Sequence, residues 1–127
     1  MKVENGEGRA DASPEAQVVD LDCALRRVGG SKDLLQEITQ LFCSEECPEL
    51  TRNIREALAK QDSALLERAA HTLRSSVDLF GAKRAFDAAR SLEELARESD
   101  FQGAAEMWKT LDQELANLGA ALANLET

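Results

Sequence analysis

The segment Ala69 to Ala82, AAHTLRSSVDLFGA, contains the only histidine of the chain. An imidazole with an ordinary pKa near 6.5 is largely neutral at pH 7 and offers a nucleophilic or basic nitrogen. Arg74 and Ser75 follow His71 by about one helical turn, with Glu67 one turn before it and Asp78 beyond. The surrounding apolar series, Leu66, Ala70, Leu73, Val77 and Phe80, has spacings of four and three, as one helix face requires. His71 projects about 140° from the centre of that stripe, toward solvent. Between Leu66 and Arg90 lie Arg68, Arg74, Lys83, Arg84 and Arg90 against Glu67, Asp78 and Asp87, a local charge of +2. An exposed imidazole in a basic island suits a group that becomes dianionic.

The rest of the chain sets the bounds on that chemistry. With a net charge of −9 over 127 residues, it lacks the cationic surface from which a nucleic-acid or anionic-membrane binder draws affinity. No apolar run reaches the length of a membrane span, and the polar N-terminus has no signal-peptide character. Cys23, Cys43 and Cys47 are odd in number and read as reduced cytoplasmic thiols. Three cysteines and one distant histidine do not form the close ligand pairs of a structural zinc site, so no metal is assigned. Gly29-Gly30-Ser31-Lys32 lacks both P-loop spacing and a preceding strand; the glycines are a helix stop.

Leucine and alanine dominate the apolar residues, and no segment has period two. Residues 1–16 are rich in Gly, Glu, Asp, Asn, Ser and Pro and read as a flexible leader or linker, leaving 17–127 as the folded domain. Asp20 caps a short helix that ends at Gly29-Gly30, and Ser31 caps the next. The latter carries Leu34, Leu35, Ile38, Leu41 and Phe42 on one face and continues to about residue 60, bent near Pro48; two abutting helices are the alternative. Asp62 opens the His71 helix, which runs to about Phe80, and Gly81 marks a junction before a helix over 82–98. Ser99 and Gln102 have capping-box spacing before the last helix, whose stripe runs Phe101, Ala104, Trp108, Leu111, Leu115, Leu118, Leu122 and Leu125. The expected architecture is all-α: an up-and-down four-helix bundle with a short extra N-terminal helix, as a monomer.

The AHTLRSSVDLFGA motif resembles the signature of histidine phosphotransfer (HPt) domains. Ala70, His71, Leu73, Ser76, Gly81 and Ala82 fit its pattern, and the similarity extends from about Val19 onward. Two positions depart: Arg74 stands for the usual lysine and Ser75 for the usual glycine. Arg74 keeps the charge as a planar fork, whereas Ser75 adds a Cβ and a hydroxyl where a partner approaches. The resemblance implies a phosphocarrier without nucleotide site or cofactor of its own, not an enzyme. His71 would be the phosphoacceptor, Arg74 would stabilise charge, and Ser75 would border the phosphoryl site. Glu67, Asp78, Leu79, Lys83 and Arg84 would contact the partners: a response-regulator receiver domain, which brings the aspartate and magnesium, and a sensor histidine kinase, with the domain free-standing or part of a hybrid kinase. Leu79 lies about 80° from His71 on the wheel and is either an exposed docking residue or buried under the helix end. Two other readings stay open: an HPt-like bundle that docks partners without transfer, and an unrelated helical adaptor.

Overall fold

In a computed structural model that describes residues 18–125, the elements are helices joined by short turns. They are α1 (Leu21–Arg27), α2 (Lys32–Leu41), a π turn (Phe42–Glu46), α3 (Cys47–Lys60), α4 (Ser63–Leu79), α5 (Lys83–Arg97) and α6 (Phe101–Leu125). The leader, residues 1–16, falls outside the described residues. Among the described residues there is no strand, and no helix is long and apolar enough to cross a membrane.

Local chemistry sets most of the boundaries. Asp20, Ser31 and Asp62 each accept the backbone N–H three residues on, at 3.1 Å, satisfying a donor that the helix leaves free. The capping expected of Ser99 falls instead to Asp100, whose Oδ1 accepts from Gly103 N at 2.9 Å. Ser99 has φ 57° and acts as the left-handed stop after α5, its hydroxyl 2.7 Å from that of Ser63. The chain stays helical from 32 to 60, as one long helix requires. Pro48 is accommodated by the π turn just before it, where Cys47 N–H bonds Phe42 O, i to i+5.

The core is built from Leu50, Ile54 and Ala57 of α3, Leu66, Leu73 and Val77 of α4, Leu92 of α5, and Trp108, Leu111, Leu118 and Leu122 of α6. Side-chain burial of Leu125 falls outside the described residues. The apolar residues of α2 share a face that is only partly covered: Leu35 and Ile38 are half-buried and Phe42 is buried, but Leu34 and Leu41 are exposed. Thr39 takes the inner position instead, its hydroxyl donating to Leu35 O at 2.8 Å. Neighbouring residues differ by 100° on a helix, so a five-residue apolar set over this span is wider than the contact it covers.

Both α4 and α5 bury small residues, Ala69 and Ala70 on the first and Ala85, Ala88, Ala89 and Ala96 on the second. Such small side chains let helix backbones approach closely, which brings long side chains of one helix across to the other. The C-terminal end of α4 is held by α1. Asp20 N–H donates to Phe80 O at 2.8 Å, and Arg27 donates to Asp78 O. Gly81 turns the chain there with φ 63°, and a Cβ on it would lie 2.5 Å from Asp20 Cβ. Gly81→Ala combines left-handed strain with that overlap and is expected to cost about 2–4 kcal/mol. Urea unfolding measures it; a midpoint equal to wild type would show that α1 does not seat against this turn.

Candidate functional site

His71 stands on α4 with its side chain 56% exposed, because the stripe beside it is what packs. Its Nδ1 lies 2.9 Å from Oε2 of Glu93, a side chain only 7% exposed on α5. Glu93 falls within the buried series Ala85, Ala89, Leu92 and Ala96, so α5 aims a carboxylate where a helix would ordinarily present an apolar group. A buried carboxylate is tolerated only when its charge and lone pairs are met. Here Oε1 accepts from Arg74 Nε at 2.8 Å, and Oε2 accepts from Arg97 Nη2 at 3.2 Å. Arg97 also binds Glu67, one turn before His71, through Nε at 3.0 Å. The Arg74 guanidinium sits over the Phe86 ring, 5.7 Å from its centroid.

Burial alone would raise the Glu93 pKa, but the hydrogen bond from His71 and the charge of Arg74 outweigh it and hold the carboxyl below the ordinary glutamate range. A carboxyl whose folded pKa lies below its unfolded value stabilises the fold fully above the unfolded value. That contribution disappears as pH falls through the folded one. The destabilisation caused by Glu93→Gln is therefore expected to be full at pH 7 and to shrink as pH drops below about 4.3. Urea midpoints of both proteins at pH 7 and pH 3 test this. A pH-independent difference would show that the Glu93 charge adds nothing to the fold.

Beside His71, along the same side of α4, runs a groove of about 270 Å³ between Thr72, Ser75 and Leu79 and the α2 residues Ile38 and Phe42. Ser76 closes part of it by donating to Glu46 Oε2 at 2.9 Å. The exposed Leu34 and Leu41 lie on the same helical row as Ile38, so an apolar ridge borders the groove.

The residues singled out in the sequence separate into three sets. His71, Arg74 and Glu67 come together in one network. Ser75 is exposed and Leu79 half-buried, and both line the groove. Asp78, Lys83 and Arg84 are bonded elsewhere: to Arg27 at 3.4 Å, to Asp87 at 3.2 Å and to Glu114 at 2.8 Å. Much of the basic island is therefore neutralised by acids, two of them, Glu93 and Glu114, on other helices. The Arg74 fork is turned toward Glu93 and the inner nitrogen of His71, with Nε 2.8 Å from Glu93 Oε1 and Nη2 2.9 Å from Nδ1. Glu93 and Arg97 were missed by sequence reasoning. The available signal was a glutamate four after Ala89 and three before Ala96, an acid at an apolar position.

Residues 37–121 match the family model described as the Hpt domain. Among solved structures, the chain is similar to the HPT domain of the Hpt sensor hybrid histidine kinase from Shewanella. The TM-score is 0.70 at 19% identity, over 87% of this chain and 94% of that one, a likeness of fold. No curated protein sequence matches the chain.

Proposed function

The chain belongs to the Hpt domain family, and on that footing we propose that it is a cytoplasmic phosphocarrier that receives a phosphoryl group on His71 from a receiver-domain aspartyl phosphate and passes it on. The observation that carries this reading is the pairing of an exposed imidazole with a buried carboxylate at its inner nitrogen. With Nδ1–H donating to Glu93, the lone pair of His71 lies on Nε2, the nitrogen away from that bond. Attack of Nε2 on phosphorus forms the N–P bond as the P–O bond to the aspartate breaks, and the electron pair leaves with the carboxylate. The ring keeps its proton on Nδ1 and becomes cationic, and Glu93 offsets that charge. The reverse sequence delivers the group to a second receiver.

Phosphoryl transfer depends mainly on positioning and charge neutralisation, so a rigid helix carrying one oriented imidazole is sufficient on this side of the reaction. The domain turns over no substrate of its own and serves receiver domains and a sensor histidine kinase. A receiver docks over the groove, with Leu34, Ile38, Leu41 and Leu79 supplying the apolar contact and Ser75 beside the phosphoryl group. Arg97, 57% exposed and adjacent to Glu93, lends positive charge together with Arg74. The test is transfer of label from a receiver domain charged with radioactive acetyl phosphate. A label that is acid-labile and base-stable marks phosphohistidine. Binding of the receiver without label would make this a docking module instead.

A further inference from the structure

The Nδ1 atom of His71 lies 2.9 Å from Glu93 Oε2 and also 2.9 Å from Arg74 Nη2. A guanidinium only donates, a carboxylate only accepts, and a neutral imidazole has one N–H. Protonated, Nδ1 donates to Glu93 and confronts an N–H of Arg74. Unprotonated, it accepts from Arg74 and turns its lone pair on the carboxylate. The two bonds exclude each other, and each selects one tautomer. The Glu93 bond leaves a free lone pair on Nε2. The Arg74 bond puts the proton on Nε2, which then has no in-plane lone pair with which to attack phosphorus.

We propose that Arg74 is a positioning residue that sets the His71 tautomer, holding part of the resting population in the non-nucleophilic Nε2–H form until an anionic phosphoryl donor draws its guanidinium away. This rests on the phosphoacceptor reading above and adds a control to it. Arg74 is tethered at Nε by Glu93 Oε1 at 2.8 Å and lies over Phe86, so only its outer end has to turn. Arg97 stays on Glu93 Oε2 at 3.2 Å and on Glu67 at 3.0 Å, so the carboxylate keeps a cationic partner in both states. Conversion moves one proton from Nε2 to Nδ1 through solvent, which the 56% exposed ring reaches, and leaves the net charge unchanged. The fork is essential. A lysine offers one nitrogen at the end of an alkyl stem and does not hold Glu93 with one donor while giving another to Nδ1.

Because His71 is the sole histidine, two-bond 1H–15N spectra of the whole chain report its tautomer without ambiguity. Above the imidazole titration, wild type should show both tautomers. Arg74→Lys and Arg74→Met should each move the ratio about fivefold toward Nδ1–H, the worth of one hydrogen bond. Phosphoramidate, a small-molecule donor, should label Arg74→Lys faster than wild type. An unchanged tautomer ratio in both variants overturns the proposal, whatever the labelling. If the ratio shifts but phosphoramidate and charged receiver label none of the proteins, the phosphoacceptor reading fails while control of the tautomer by Arg74 stands.

Discussion

His71→Gln is expected to keep the fold and to lose phosphoryl acceptance completely. The packing of α4 comes from Leu66, Ala70, Leu73 and Val77, none of which touches solvent, whereas more than half of the His71 side chain is exposed. Glutamine can still direct an amide N–H at Glu93, so the buried carboxylate retains its donors. Stability should change by no more than about 0.5 kcal/mol, as at most exposed positions. Acceptance disappears because the amide nitrogen lone pair is delocalised into the carbonyl and is no nucleophile. Circular dichroism melts and label from a charged receiver measure the two halves. Label taken up by the variant would assign acceptance to another residue.

Glu93→Gln should slow acceptance by about 10–100-fold, the scale on which a group that orients a reacting imidazole acts. The substitution preserves volume but removes the charge that balances a phosphorylated, cationic ring. It also halves the acceptor capacity facing His71 Nδ1, Arg74 Nε and Arg97 Nη2. Both arginines reach solvent, at 27% and 57% exposure, so they rehydrate in part and the fold should lose only about 1–3 kcal/mol. A purely structural glutamate would leave the imidazole spectrum of the folded variant unchanged. A positioning one shifts it toward Nε2–H. Wild-type rate and tautomer ratio in folded Glu93→Gln would remove Glu93 from the mechanism.

Local chemistry made the helices legible. Asp20, Ser31 and Asp62 cap because a short side-chain oxygen reaches the N–H three residues ahead whatever the rest of the fold does. The His71 stripe was equally readable, since a helix of known pitch places the imidazole opposite its packed face. Failures began where two elements compete for the same surface. Leu34 and Leu41 look like core in isolation, yet among the described residues the inward side of α2 is taken by Leu35, Thr39 and Phe42 and these two stay exposed. Ser99 resembles a cap, but the turn from α5 places it in left-handed backbone and hands the role to Asp100.

The site divides along the same line. By itself the sequence determined that one histidine sits on the solvent side of an amphipathic helix, with an arginine one turn on, in an acidic chain. Only the tertiary structure decided what faces that histidine. Glu93 lies 22 positions away, and no helical periodicity within α4 refers to it. It arrives because α5 packs against α4, with small buried residues on both helices, and because Arg74 and Arg97 meet its charge once there. The orientation of Arg74 was beyond the sequence for the same reason. A side chain with several rotatable bonds goes where the field is strongest, and that field is made by a carboxylate on another helix.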